Sequence, residues 1–401
     1  MTRDGHRARV FVVESAAKAA LPIIRSAAAM GRSVVAGAAT RVCAGMFSRF
    51  VRERLVYPDP TQDPDGFTEA LLRSVRERDV EMLYPVGDVA SDLIARHQDA
   101  FRKVTRLVLP PYRSFVRGRD KIMTLQAAAA AGVPIPSTWY PDERSLDEVV
   151  RRASYPCLVK PAISAGARGI TKAETPEALR SAFPSVEAKY GRSFVQDWVP
   201  PGGAQFKADA IMGREGSLLA AVVYEKLRFY PPAAGSSVLN RTVRRPDIVE
   251  QVRAMMVALE WSGFCDFDFI SDPRDGQVKL MEINPRFPES YGATYAAGLD
   301  MTEMLWEMAH GREPEPITEY LTDQYLRFFG GDLLWFVTSR DRWRQLGSWL
   351  TFVSPRLRYQ VFSIRDPGPA LGYLLENLQA ALSPQRRAAR FRLSEARERS
   401  Q

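Results

Sequence analysis

The stretch CDFDFISDPRDGQVKLMEIN, residues 265–284, has the pattern of two strands joined by a tight turn. We predict a three-residue loop over 274–276, with Gly276 in the left-handed conformation that such a turn favours. Side chains alternate along strands, so this register assigns each residue to a face. On one face it pairs Asp268 with Glu282 and Asp266 with Asn284. On the other face it pairs Phe267 with Ile283 and Phe269 with Met281, an apolar set suited to burial.

The polar face of this hairpin concentrates negative charge. Directly opposed residues have Cβ atoms only about 4.5–5.5 Å apart, and like charges at that separation repel. A cation would relieve the repulsion, and carboxylates with an amide oxygen are ligands that suit Mg²⁺. The alternative is a solvated polar face with no ligand. The apolar character of the rest of both strands favours the cation.

A second feature indicates phosphate binding. Residues 157–160 form a short apolar strand pattern that ends in Lys160, and AISAGARG follows at 162–169. Small residues let backbone N–H groups approach phosphate oxygens, while lysine and arginine add positive charge. The stretch does not match the P-loop pattern. Taken alone it is equally well an ordinary turn.

The sequence pattern divides the chain into three regions. Residues 1–116 alternate short strands with helices, which predicts a doubly wound parallel sheet. Residues 117–312 begin with a helix over 120–131 and continue with hairpin-like strands, which is typical of an α+β region. Residues 313–401 mix aromatic side chains with arginine. We expect an accessory helical layer there, and the alternative is a segment that lies on a membrane.

Composition narrows the class of protein. The 401 residues carry 55 Lys and Arg against 47 Asp and Glu, a net charge of +8. Residues 386–401 alone contain six arginines and two glutamates, so much of the excess lies in the C-terminal tail rather than in the body. Nucleic-acid binding is therefore not expected. Three separated cysteines and the lack of a long apolar run or a signal-peptide pattern predict a cytoplasmic protein.

Several stretches together resemble the ATP-grasp ligases. They are DKIMTLQAAAAAGVPIPST at 120–138, KPAISAGARGI at 160–170, VQDWVPPGG at 195–203, FDFI at 267–270 and MEINPRF at 281–287. The resemblance covers roughly residues 10–312 and is strongest to carboxylate–amine ligases with an ATP-grasp domain like that of carbamoyl-phosphate synthase. It implies a pre-ATP-grasp, Rossmann-like domain at 1–116. An ATP-grasp domain at 117–312 would follow, with subdomains 117–195 and 196–312, and then a C-terminal helical extension at 313–401 with its basic tail.

The resemblance also implies a role for individual residues. For the phosphates of ATP it implies contacts from Lys121 and Lys160. It also implies a mobile loop over the phosphates, which includes Ser164, Ala165, Gly166, Arg168 and Gly169. For the nucleoside it implies a ribose contact from Gln205 and adenine contacts from Gln196, Asp197, Trp198 and Val199. For the metal it implies Asp268, Glu282 and Asn284, and for the reacting groups Arg286 and Arg228. Asp266 has no counterpart. Gln196 and Gln205 stand where such ligases usually carry acids.

The activity implied is ATP-dependent ligation. A small-molecule carboxylate would attack the γ-phosphate to give an acyl phosphate, and an amine would displace the phosphate to form an amide. ATP and Mg²⁺ are the implied cofactors, with Mn²⁺ as a substitute. The alternatives are a thiol or bicarbonate co-substrate, or a nucleotide-binding protein tethered to a membrane or nucleic acid by its basic tail. A homodimer is a further expectation, and a membrane partner is not expected beyond a peripheral contact by the C-terminal segment.

Overall fold

The computed structural model describes residues 8–142, 144–164, 168–232 and 235–382. The loop residues Ala165 and Gly166 and the arginine-rich tail at 386–401 lie outside the described residues.

The N-terminal region contains the predicted parallel sheet. Its strands are β1 (Arg9–Val12), β2 (Ser33–Ala38), β3 (Val51–Val56) and β4 (Met82–Tyr84), in the order β3-β2-β1-β4. All three neighbour pairs are parallel. The helices are α1 (Ala20–Ala29), α2 (Pro64–Glu77), α3 (Asp88–Arg96) and α4 (Gln98–Arg102). This N-terminal sheet confirms the predicted doubly wound class.

A small antiparallel lobe follows. Helix α5 (Tyr112–Arg119) leads to α6 (Lys121–Ala130). Asp120 caps the N-terminus of α6, because its side chain accepts hydrogen bonds from two backbone N–H groups of the first turn. The strands are β5 (Thr138–Trp139), β6 (Cys157–Pro161), β7 (Thr171–Ala173) and β8 (Ser193–Asp197), in the order β5-β8-β6-β7. Helices α7 (Leu146–Arg152) and α8 (Pro176–Tyr190) pack on this small sheet.

A large sheet forms the rest of the molecule. It has the order β13-β12-β9-β10-β11-β14-β15. Its strands are β9 (Gln205–Met212), β10 (Leu218–Tyr230), β11 (Ser236–Thr242), β12 (Gly263–Ser271), β13 (Val278–Asn284), β14 (Tyr325–Arg327) and β15 (Leu357–Tyr359). The accompanying helices are α9 (Pro246–Ala258), α10 (Gly292–Ala296), α11 (Met301–Ala309), α12 (Phe329–Thr338), α13 (Leu346–Trp349) and α14 (Gly368–Leu382). The C-terminal segment is helical as predicted, and it also adds two short strands to the sheet.

The β12–β13 hairpin has the predicted register at the polar residues. Asp266 pairs with Asn284 and Asp268 with Glu282. The turn itself differs, because the backbone N–H of Asp272 donates to the carbonyl oxygen of Gln277, and this pair encloses four residues instead of three. The register then shifts after Asp268 by a β-bulge, which compensates for the extra turn residue. The predicted pairing of Phe269 with Met281 is therefore wrong, and Leu280 stands opposite Phe269.

The N-terminal sheet and the large sheet share one hydrophobic core. Buried side chains of β1 and α1 pack in the same cluster as side chains of β10 and α11. The hydroxyl of Tyr84 also donates a 3.0 Å hydrogen bond to the backbone carbonyl of Thr302. This shared core fixes the end of β4, and with it Asp88 at the start of α3, against the face of the large sheet.

A buried aspartate connects the C-terminal segment to the N-terminal region. Asp366 has no exposed surface, and its carboxylate accepts hydrogen bonds from Arg25 Nε (3.1 Å), Ser48 Oγ (2.9 Å) and the backbone N–H of Arg49 (2.9 Å). Each of these partners would lose its acceptor if the carboxylate were removed. The loop before α14 is thereby held against the turn that follows β2.

We predict that Asp366→Ala lowers the free energy of unfolding by about 3–5 kcal/mol, because it leaves the Arg25 charge without its buried partner. Urea denaturation followed by circular dichroism measures the change. The control is Asp341→Ala, whose carboxylate is 60% exposed and lies 3.6 Å from Arg344. That substitution should shift stability by no more than about 0.5 kcal/mol. Equal effects of the two substitutions would contradict the structural role of Asp366.

Candidate active site

A cleft of about 420 Å³ lies where the N-terminal region, the small lobe and the large sheet meet. The N-terminal region contributes Asp88, the small lobe contributes Lys121 and Ser164, and the large sheet contributes the polar ends of β9, β10, β12 and β13. Charged side chains of both signs line it. Such a cleft suits a ligand that carries several charges rather than an apolar one.

Two lysines neutralise the aspartates of the β12–β13 hairpin. Lys207 Nζ lies 2.5 Å from Asp266 Oδ2 and 2.7 Å from Asp268 Oδ2. Lys226 Nζ donates to the second oxygen of Asp268. Asn284 Nδ2 completes the group with hydrogen bonds to Asp266 (3.0 Å) and Asp268 (3.2 Å). The cation predicted to relieve the repulsion is thus supplied, in this structure, by ammonium groups.

The order of the strands explains this pairing. Strand β9 lies directly beside β12, and the register sets Lys207 opposite Asp268. Strand β10 follows β9, with Lys226 opposite Gln205. Sequence reasoning missed both lysines because alternation assigns a face only once the neighbouring strand is known. The available signal for Lys207 was the alternation of polar and apolar residues in QFKAD, and VVYEK has no such alternation around Lys226.

The lysines also set the protonation of the aspartates. Burial raises the pKa of Asp268, but Lys207 and Lys226 outweigh burial and hold it well below its usual value. For Asp266 burial dominates, and its pKa is raised to about 6 although Lys207 opposes the shift. Burial lowers the pKa of Lys207, and the two carboxylates more than reverse that effect. Asp268 is accordingly the firmly ionised member of the group.

A third carboxyl lies next to this group, on the neighbouring strand β9. Asp209 stands opposite Asp266 and is fully buried. It accepts hydrogen bonds from Thr294 Oγ1 (2.6 Å) and Tyr224 Oη (3.3 Å). Burial, together with the charge of Asp266, raises its pKa well above the usual value. Both causes favour the neutral form of the Asp209 carboxyl.

The proposed metal ligands lie together on this face. Asp268 and Glu282 are directly opposed, and Asn284 lies next along β13. Two carboxylates and an amide oxygen are a donor set that fits Mg²⁺. Within residues 8–142, 144–164, 168–232 and 235–382, no three acidic, histidine or cysteine side chains are already arranged around a metal position. A metal bound to Asp268 would therefore have to displace a lysine from it.

Lys121 reaches the cleft from the opposite wall. It is the first residue of α6, its Nζ donates to the carbonyl oxygen of Ser164 (2.9 Å), and it lies 3.4 Å from Glu282 Oε2. The structure thus brings a proposed phosphate ligand and a proposed metal ligand to the same point. The side chain of Arg168, beyond Ser164 in the same loop, is exposed to solvent. Gly169 has a φ of +78°, and a Cβ there would lie 2.7 Å from Pro161, so glycine is required.

Lys160 is buried at the end of β6, with 7% of its surface exposed. Its Nζ donates a 2.6 Å hydrogen bond to Gln196 Oε1, and Gln196 Nε2 donates to Thr138 Oγ1 at 3.1 Å. Burial lowers the pKa of Lys160 to about 8, with Glu282 opposing and Lys121 reinforcing the shift. A glutamine at position 196 therefore leaves Lys160 without a directly paired carboxylate.

The other proposed nucleotide contacts follow β8. Asp197 accepts a 3.1 Å hydrogen bond from Arg274, and the ring of Trp198 lies 4.1 Å from the Lys172 ammonium. Val199 and Gln205 are partly exposed at the junction of the two lobes. Their roles toward adenine and ribose stay predictions.

Arg286 faces the cleft as proposed. Its Nε donates to Asp88, and its Nη1 donates a 3.2 Å bond to the carbonyl oxygen of Phe287. Burial lowers its pKa, but the Asp88 carboxylate outweighs burial, so the guanidinium stays charged. Sequence reasoning missed Asp88, which lies in the N-terminal region far from the motif that contains Arg286.

The prediction that Arg228 faces a substrate is wrong. Arg228 is 1% exposed, and its Nη1 lies 3.1 Å from both carboxylate oxygens of Asp332 on α12. Its guanidinium also stacks on Trp335 at 4.6 Å. The physical reason is a bulge in β10 between Lys226 and Arg228, which breaks the alternation that would have placed both on the cleft face.

A parallel-sheet domain followed by two lobes that enclose lysines and carboxylates is the architecture of the ATP-grasp proteins. The family model described as the ATP-grasp domain matches residues 118–290, and this part of the chain is an ATP-grasp domain. The match begins and ends inside the predicted region 117–312, so it confirms the resemblance without testing the exact boundaries of that region.

Several known proteins are similar to this chain. The D-aspartate ligase of Enterococcus faecium (strain Aus0004) is 27% identical over 320 residues, which are 74% of this chain and 75% of that protein. The D-alanine–D-alanine ligase of Thermoanaerobacter sp. (strain X514) is 28% identical over 211 residues, 45% of this chain and 58% of that protein. Among solved structures, a biotin carboxylase–β,γ-ATP complex from Campylobacter jejuni has a TM-score of 0.68 at 14% identity, covering 79% of this chain and 74% of that one.

The lowered pKa of Lys160 predicts a pH dependence of ATP binding. As the pH rises through about 8, the ammonium loses its proton and its attraction for phosphate, so the Kd for ATP should increase. Isothermal titration calorimetry between pH 7 and pH 9.5 measures it. Lys160→Met should bind ATP weakly and lose this dependence. The control Lys189→Met, at an exposed lysine of α8, should keep it, and identical profiles for all three proteins would contradict the assignment.

Proposed function

We propose that this protein is an ATP-dependent ligase that activates a small carboxylate as an acyl phosphate and joins it to an amine, releasing ADP and phosphate. The observation that carries the proposal is the meeting of Lys121, Glu282 and Arg286 around one cleft. A lysine and an arginine can bind phosphate and carboxylate oxygens, and the acids opposite them can bind a metal ion.

The phosphates of ATP would lie between the two lobes. Lys121 and Lys160 would hold them from the small lobe, with Ser164 and the residues after it closing over the β- and γ-phosphates. Asp268, Glu282 and Asn284 would hold Mg²⁺, or Mn²⁺ in its place. The metal ion, when bound, supplies positive charge that neutralises the β- and γ-phosphate oxygens. The residues Gln196 to Val199 and Gln205 would bind the nucleoside.

The lysines of the large sheet would then have a second role. If Mg²⁺ were held by Asp268, Glu282 and Asn284, Lys226 or Lys207 would lose an oxygen of Asp268 as its partner. Its ammonium would then be available to bind phosphate oxygens, because both lysines line the same cleft. The phosphate would replace the carboxylate as the partner of that lysine, so the ammonium would not be left as an unpaired buried charge.

The reacting carboxylate would be bound by Arg286. A guanidinium can hold a carboxylate through two parallel hydrogen bonds, and Asp88 keeps this one charged and oriented. Attack of a carboxylate oxygen on the γ-phosphorus forms the acyl phosphate and releases ADP. The amine nitrogen then attacks the acyl carbon, and phosphate leaves as the amide forms. Positioning and charge neutralisation supply the catalysis, so no covalent nucleophile of the protein is needed.

The names of both similar ligases contain an amino acid, which supports amino-acid-sized substrates. The second candidate is the same carboxylate activation with a thiol or bicarbonate as the co-substrate. A screen with purified protein, ATP and Mg²⁺ separates the two. D- and L-amino acids, polyamines, thiols and bicarbonate are tested in pairs, with ADP measured by a coupled assay and products by mass. ADP formation that requires both a carboxylate and an amine, with an amide mass, is expected.

We predict that Glu282→Gln reduces ADP formation by about a hundredfold or more, because it removes a charge that would hold the metal ion against the phosphates. The matched control is Glu260→Gln, at an exposed glutamate that pairs with Arg113 at 2.7 Å on the surface. The control should keep the wild-type rate. Wild-type ADP formation by Glu282→Gln would overturn the metal assignment and, with it, the proposed mechanism.

A further inference from the structure

The C-terminal segment carries a continuous aromatic face that the cleft does not use. We define this aromatic face by six side chains, Trp343, Phe336, Trp349, Phe352, Phe329 and Tyr359. Successive ring centroids along this series lie 5.9, 4.1, 5.5, 6.1 and 6.5 Å apart. The series begins in the loop after α12 and ends on β15, so it connects α12, α13 and β15.

Much of this surface is open to solvent. Trp343 is 66% exposed, and two aliphatic residues in nearby loops, Val353 and Ile364, are 92% and 88% exposed. Helix α14 adds leucines at helical spacing, with Leu371 and Leu374 both more than half exposed. Exposed apolar side chains scattered singly are common, but a connected aromatic patch with protruding aliphatic residues marks an interaction surface.

Over residues 329–382, which include the aromatic face, exposed arginines outnumber exposed acids. The exposed arginines there are Arg340, Arg344, Arg356, Arg358 and Arg365. Of the acids there, Asp332 and Asp366 are fully buried in ion pairs with arginines, Glu376 is half-buried and Asp341 is exposed. Four further exposed acids of the C-terminal segment precede the aromatic face in the chain: Glu313, Glu315, Glu319 and Asp323. The sequence that follows α14 adds six arginines and two glutamates at 386–401.

We propose that the aromatic face binds the surface of an anionic lipid bilayer. Aromatic rings favour the boundary between headgroups and acyl chains, and aliphatic residues at loop tips can enter the acyl region. Arginines around them attract anionic headgroups. No helix among the residues described here has the length and hydrophobicity needed to cross a bilayer, so the contact is peripheral.

Charge and chemistry argue against the other partners. A second copy of the chain docked on the same face would bring arginine rims together, and like charges juxtaposed across an interface are costly. Nucleic acid would be held by arginines and stacked rings, but it offers no apolar phase for Val353 or Ile364. An anionic bilayer satisfies both the charged and the apolar side chains.

The test is flotation of the full-length protein with vesicles of phosphatidylglycerol and phosphatidylcholine, compared with phosphatidylcholine alone. Binding to the anionic vesicles, weakened by high salt, is expected. The variant Trp343→Ser/Val353→Ser/Ile364→Ser should lower binding by ~tenfold or more, because it removes the inserting side chains. The control Met30→Ser/Val257→Ser removes two apolar residues that are 48% and 53% exposed elsewhere, and it should bind like wild type.

Three outcomes would overturn the proposal. One is equal binding to anionic and neutral vesicles, and a second is anionic binding that survives the triple substitution. The third is a wild-type dimer, detected by analytical ultracentrifugation, that the triple variant converts to monomer while vesicles bind neither protein. ATP turnover in solution should be unchanged in the triple variant, which shows that the variant is folded and separates failure of this proposal from failure of the proposed ligase function.

Discussion

The structure depends on the compensation of charge on one face of the large sheet. Asp268 lines the cleft from β12 and Asp266 is buried beside it, and both are stable there because Lys207 lies within 2.7 Å of both and Lys226 donates to Asp268. Removing either the aspartates or the lysines would leave the other charges buried and unpaired. The strand order that places β9 beside β12, and β10 beside β9, is therefore also what brings these charges together.

The sequence predicts the hairpin at this site correctly for partly fortuitous reasons. The turn has one residue more than expected, and the bulge after Asp268 restores the register at Glu282 and Asn284. A second bulge, in β10, has the opposite consequence and turns Arg228 into the interior. Bulges depend on how a strand fits its neighbours, so a single sequence does not reveal them. Lys207 and Lys226 were missed for a related reason, because their partners lie on other strands.

The C-terminal segment shows a different limit. Its aromatic and arginine content predicted an accessory helical layer, and helices α12 to α14 confirm it. Strands β14 and β15 have three residues each, too short to show a periodic pattern; β14 pairs with the edge of β11, and β15 pairs with β14. Arg228, Arg327 and Asp332 then form a buried ion group that connects this segment to β10. The segment is thus integral to the sheet that carries the site.

The most direct test of the account is the fate of a carboxylate oxygen during turnover. The protein is supplied with ATP, Mg²⁺, the amine and a carboxylate substrate labelled with ¹⁸O, and the released inorganic phosphate is analysed by mass. If the carboxylate attacks the γ-phosphate and the amine then displaces phosphate from the acyl carbon, each phosphate carries one oxygen from the substrate. Amide formation accompanied by unlabelled phosphate would contradict the account, because the carboxylate would then have been activated without an acyl phosphate.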